Sequence, residues 1–181
     1  MAAKNVEILA ELVSQMKTVA VILDPNVPAS ANIERHVQEA ARAKRTKAVF
    51  YRARDRAELA QAFAVMESDR PDGIVNASGS GTLFGERQFI SDNALRLRIP
   101  YAAATDIAVE EGGLFSYSAS LSGLFRQAAS HAARILKGAN PAELPIERAT
   151  KFELIVNLKT ARALGIQIPQ TLLLRADRVI E

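Results

Sequence analysis

The chain has 181 residues, 49% of them apolar and 24% charged, with a formal net charge of +3. That is an ordinary globular composition, with room for one good core or for one domain with an appendage, and its basic excess is mild. There is no cysteine, which removes thiol catalysis, disulfides and thiolate metal sites, and no apolar run is long enough to span a membrane.

Val6, Leu9, Leu12, Val13 and Met16 recur at helical spacing, so the chain opens with an amphipathic helix. Its acidic flanks, without an apolar core and cleavage site, do not read as a signal peptide. Val19 to Leu23 is a continuous run of the kind that forms a strand buried on both faces, and Asp24-Pro25-Asn26 breaks it. A helix follows from about Ser30 to Lys44, with Ile33, Val37, Ala40 and Ala41 inward. Ala48 to Tyr51 is a second strand. Asp55 and Glu58 form a capping box ahead of a helix lined by Leu59, Ala62, Phe63 and Met66. Gly73 to Ala77 is a third strand, Gly79 to Gly85 a glycine-rich turn, and Ile90, Ala94 and Leu97 mark another helix. Tyr101 to Ala104 and Leu114 to Tyr117 are the fourth and fifth strands. Leu121, Leu124, Phe125, Ala128, Ala132 and Ile135 give the longest helix in the chain.

Strands and helices therefore alternate every ~25 residues, the spacing of βαβ units. The expected fold is α/β: a Rossmann-like parallel sheet of about five strands with helices on both faces. Right-handed crossovers place the ends of all five strands on one edge, where ligands bind in open sheets of this kind. We divide the chain into a lobe, 1–119, and an appendage, 120–181, made of the long helix, a crossover linker and a clasp. Gly138 and Pro141 stop the long helix, and an extended linker runs to Thr150. Phe152 to Val156 reads as a strand, Asn157 caps a short helix ending at Gly165, and Leu172 to Ile180 is a last apolar segment. This clasp would pack on its own lobe or on a partner's.

The candidate site residues all follow strands. They are Asp24, Asn26 and Ser30 after the first, Asn76, Ser78 and Thr82 after the third, Thr105 and Asp106 after the fourth, and Ser116 and Tyr117 in the fifth. Hydroxyl and amide side chains beside free backbone N–H groups can hold a carboxylate, and Asp24 or Asp106 could receive an ammonium. Together they suit a small amphoteric solute, although turns and helix caps call for the same residue types. Gly79 to Gly85 also comes close to a dinucleotide fingerprint. It follows the third strand rather than the first, however, and no acidic residue closes the next strand before Asp106. Nucleotide binding is thus a distant alternative, and no cofactor is expected.

Catalytic constellations fail in turn. His36 and His131 both fall within helices and lack metal-ligand spacing, so no metal site is expected. Glu110 and Glu111 are adjacent on a helix end and diverge, and no Gly-x-Ser-x-Gly elbow exists. We expect no catalytic residues and no enzyme. Arg42, Lys44, Arg45 and Lys47, with Arg52, Arg54 and Arg56, sit at a helix end and strand edge, where they complement the helix dipole and form a solvated rim. Only Phe50 and Tyr51 interleave to stack bases, so no nucleic-acid partner is expected.

Several of these stretches carry a resemblance. Gly138, Pro141 to Pro145, Thr150 to Leu154, Asn157 to Thr160 and Leu173 to Asp177 follow one another in the order seen at the end of the ABC-transporter substrate-binding proteins. The likeness is to those of the type I periplasmic-binding fold, in the tryptophan/tyrosine-type subfamily. It continues upstream in the Asp24 to Ser30 loop and in Gly112 to Ser118. It covers nearly the whole chain but only the latter part of the family's length. The family's acidic, aromatic-rich loop after the third strand is replaced here by Asn76 to Gly85. The resemblance implies one lobe of a two-lobed, periplasmic solute-binding protein that serves an ABC permease. It also implies that the helix 120–137 would pack on a first lobe absent from this sequence. Its exposed stripe is expected to drive homodimerisation. The alternative is a cytoplasmic half-sized sensor or regulatory module, or a truncated remnant without a transport role.

Overall fold

The computed structural model describes residues 1–149 and 151–181. Thr150, which the sequence reading makes the end of the linker and the start of the tail motif, lies outside the described residues. The run Val19–Leu23 belongs to β1 (Thr18–Leu23), which lies between β2 (Lys47–Arg52) and β3 (Gly73–Asn76). β4 (Tyr101–Ala102) and β5 (Phe115–Ala119) extend the sheet, and all these neighbours pair parallel. Buried on both faces, β1 shows no alternation in its sequence, whereas β2, at the sheet's edge, is half-exposed.

Among the described residues the sheet has seven strands, the five expected parallel ones and two more from the tail. β6 (Phe152–Asn157) joins β5 antiparallel, with Phe115 opposite Val156, and β7 (Arg178–Ile180) lies parallel to β6. The last apolar segment is divided between α9 (Gln170–Leu173) and β7. The intervening Asp177 holds the turn by accepting from the Leu154 N–H at 2.8 Å.

Helices α1 (Ala2–Leu12), α2 (Ser30–Ala43), α8 (Leu158–Leu164) and α9 cover one face, around Val6, Leu9, Val37, Ala161 and Leu172. Helices α3 (Arg56–Asp69), α5 (Arg87–Arg96) and α6 (Asp106–Glu110) cover the other, around Leu59, Phe63, Ile90 and Val109. Residues 19, 21 and 23 of β1 feed the first layer, and 20 and 22 the second.

Local signals in the sequence have direct counterparts. The Asp55 side chain accepts from the Glu58 N–H at 2.8 Å, and Glu58 reaches back to the Arg54 N–H at 2.8 Å. Asp55→Ala should lower stability by about 1 kcal/mol, read in thermal unfolding as a drop of about 2–4 °C. An unchanged midpoint would mean that the cap contributes nothing. Arg52, Arg54 and Arg56 are paired with Glu34, Glu58 and Glu86, so that three of the seven charges of the basic cluster are neutralised.

The remaining long element is α7 (Leu121–Leu136), capped by Ser120, and none of its residues is buried. The linker returns past it through a short 3-10 turn at Pro141–Glu143, and Glu147 accepts from Gln127 and lies 3.7 Å from His131.

Candidate functional site

The carboxyl ends of β3 and β4 open onto a cleft of about 300 Å³. Its polar side is Asn76, Ser78 and Thr105, the backbone of Gly79 and Gly81 forms one lip, and Arg87 closes one end. Its apolar side is Leu83, Phe84, Ala104 and Ala108, completed by Leu121 and Phe125 from the first turn of α7. A larger cleft of about 490 Å³ lies between α7 and the returning linker at Glu147, Arg148, Ala149 and Lys151. It reaches the sheet only at Ser120, after β5, whereas the smaller one gathers the loops after both β3 and β4, and we take the smaller one as the candidate site.

The polar side is organised by short local bonds. The Asn76 oxygen accepts from the Ser78 N–H at 3.1 Å, turning the chain out of β3. Ser80 then caps α4 (Gly81–Gly85) by accepting from the Leu83 N–H at 3.1 Å. Thr105 caps α6, accepting from the Ala108 N–H at 3.4 Å. The Ser78 hydroxyl is enclosed and has no hydrogen-bond partner. The fully buried Tyr101 hydroxyl sits beside the Asn76 amide, and burial pushes its pKa well above the ordinary phenol value. Uncompensated buried polar groups are rare in folded proteins, and the Ser78 hydroxyl leaves one in the wall of this cleft for a ligand or water to complete.

Arg87 is held in place rather than free. It lies 4.7 Å over the Phe84 ring, donates to the Phe84 carbonyl at 3.0 Å and pairs with Glu111 at 2.9 Å. Glu110, in contrast, points away to Arg178 at 2.6 Å, so the two adjacent carboxylates have separate partners. Among the described residues no group of three or more His, Asp or Glu side chains is placed to hold a metal ion.

Of the sequence candidates, Asn76, Ser78 and Thr105 line the cleft and the others do not. Asp24, Asn26 and Ser30 form a knot of their own: the Asp24 carboxylate accepts from the Asn26 N–H at 2.9 Å, and Ser30 donates to the Asp24 carbonyl at 2.6 Å. Thr82 is exposed on α4, and Asp106 accepts from the Ile107 N–H at 2.9 Å. Ser116 is buried without a partner inside β5, and Tyr117 stacks on Phe152 at 6.0 Å. Sequence reasoning missed Arg87, Phe84, Leu121 and Phe125. The i, i+4 spacing of Leu121 and Phe125 was visible, but it reads equally as a packing stripe.

The family model for ABC transporter substrate binding proteins matches residues 1–180. A conserved domain protein from Vibrio cholerae aligns over 98% of this chain at 24% identity, with a TM-score of 0.86. An ABC domain from Streptococcus pneumoniae in complex with L-Trp aligns over 99% at 24% identity, with a TM-score of 0.88. A ligand-free, open substrate-binding protein from Clostridium difficile aligns over 98% at 21% identity, with a TM-score of 0.70. The alignments take in 60%, 60% and 59% of those chains respectively, so this chain spans well under two thirds of their length. No curated protein matches it.

Proposed function

The chain belongs to the ABC transporter substrate-binding protein family, and from that premise we propose that it is one solute-binding lobe of an ABC-type uptake system. The solute is a small amphoteric molecule such as an amino acid, seated at the carboxyl ends of β3 and β4. One observation carries this reading: a cleft at the ligand-binding edge of an open parallel sheet contains an enclosed hydroxyl, Ser78, with no partner of its own. The mechanism is binding and closure of a facing body over the solute, with no bond made or broken. An ABC permease then receives the solute outside the cytoplasm. The L-Trp complex of the Streptococcus pneumoniae protein supports an amino acid as the type of ligand.

The same proposal includes self-association through α7. Leu124 and Phe125 at one end and Ile135 and Leu136 at the other are all exposed, at 39%, 68%, 40% and 87%. Between them lie Ala128, Ala129 and Ala132. Antiparallel pairing with a second copy sets the large residues of each end against those of the other, with small residues at the crossing. Arg126 and Arg134 fall on the far side of the helix and do not meet.

Thermal unfolding against the twenty amino acids tests the solute reading. A ligand at ~100-fold over its dissociation constant should add about 2.7 kcal/mol, a shift of several degrees. A flat panel with a cooperatively folded protein would count against it.

A further inference from the structure

Resting on that reading of the cleft, we infer that this lobe recognises the carboxylate end of its solute, carried on an apolar body, and that the solute's amino group is dispensable for binding here.

The argument is an inventory of donors and acceptors. The Ser78 hydroxyl is enclosed and unpartnered. Thr105 already accepts from the Ala108 N–H, so its own O–H is the part still to be used. The Asn76 amide has its oxygen engaged by the Ser78 N–H and one N–H directed at the Tyr101 oxygen, which leaves its second N–H. All three line the same cleft, and each has a donor left to offer.

The acceptor side is nearly empty. No Asp or Glu lines the cleft. The nearest acidic side chains lie outside its lining: Glu111 pairs with Arg87 through one oxygen, Asp106 accepts from the Ile107 N–H, and Asp24 accepts from the Asn26 N–H. An ammonium group has three donors and accepts nothing; it can donate to the Ser78 hydroxyl, but no carboxylate among the lining residues balances its charge. A carboxylate accepts on both oxygens and takes up the spare donors. Because Arg87 is already paired with Glu111, the cleft itself is close to electrically neutral. Selection then rests on hydrogen-bond direction rather than on a bare charge.

The opposite wall fixes the other end of the solute. Leu83, Phe84, Leu121 and Phe125 offer apolar surface, and Phe125, 68% exposed, forms its outer part. A volume of about 300 Å³ takes one ring or one branched chain beyond the carboxylate.

Three matched probes separate the possibilities: 3-phenylpropionate, with a carboxylate only, phenylalanine, with both groups, and phenethylamine, with an amine only. Each is titrated to millimolar concentration into the isotope-labelled full chain, following the backbone amides of Ser78, Gly79, Gly81 and Thr105. The expected result is that phenylpropionate and phenylalanine shift the same amides with affinities within about fivefold, while phenethylamine shifts none. Ser78→Ala should weaken both carboxylates by about fivefold to tenfold, and Asp106→Asn should leave their ratio unchanged. The inference is overturned if phenethylamine binds at these amides or if phenylalanine binds more than tenfold tighter than phenylpropionate. It is also overturned if Asp106→Asn weakens phenylalanine alone. In each of those cases the cleft remains the solute site. If no probe and no amino acid moves these amides, the solute-site reading fails and the inference falls with it.

Discussion

Replacing Gly113 by alanine is expected to lower stability by about 2–3 kcal/mol, and replacing it by valine to remove most of the 5–15 kcal/mol that holds a typical domain together. An added Cβ would lie 2.9 Å from the Ala108 carbonyl oxygen, 3.1 Å from the Ala103 Cβ and 3.3 Å from the Val109 Cα. Two of those three atoms are backbone, and they have nowhere to go. Gly113 N–H donates to the same Ala108 oxygen at 2.9 Å, and the next residue, Leu114, donates to Tyr101 at 2.8 Å. Moving the turn away would therefore pull β5 off β4, whose pairing is short, with Ala102 opposite Phe115. Urea unfolding monitored by circular dichroism measures the loss. A Gly113→Ala variant within 0.5 kcal/mol of the parent would show that this turn yields. Gly85 is the control: a Cβ there meets nothing within 4 Å, and its alanine variant should be near neutral.

Gly113 also shows what the sequence could and could not convey. Gly112 to Ser118 stands out as part of a family-like run, but the reason for the second glycine is a contact between α6 and β5 that no linear pattern records. The same holds across the molecule. Buried strands, the Asp55 and Asn157 caps and the left-handed Gly165 cap were legible because each is a local rule acting within a few residues. The direction of β6 was not, because pairing with β5 depends on where the 138–149 linker delivers the chain.

The site divides along the same line. Asn76, Ser78 and Thr105 were legible because strand ends of an open parallel sheet converge on one edge. Asp24 and Asp106 follow strands equally well, yet they lie outside the cleft and their carboxylates accept from the N–H groups of Asn26 and Ile107, as turn-forming acids often do. Arg87 and Phe125 come from two helices, and only the tertiary fold shows that they meet at one cleft.

Self-association has the second large expected effect. At micromolar concentrations the chain should sediment at twice its 19.6 kDa mass. Ile135→Glu together with Leu136→Glu should return it to a monomer. Because a two-fold interface repeats every substitution, four carboxylates would enter one apolar seam. A loss of about 3 kcal/mol or more, upwards of a hundredfold in the dissociation constant, is the scale for disabling such a centre. The choice of positions matters. Phe125 lines the cleft, so changing it would disturb solute binding as well, whereas Ile135 and Leu136 lie about three turns away along α7. No residue of α7 is buried, so the double variant should keep the helical content and unfolding midpoint of the lobe. A parent chain that stays monomeric up to about a hundred micromolar would sink the paired-helix arrangement. A variant that stays dimeric would place the interface elsewhere. If the dimer forms and the solute then binds more tightly, Leu121 and Phe125 are the physical link, since their side chains wall the cleft on the same helix that pairs.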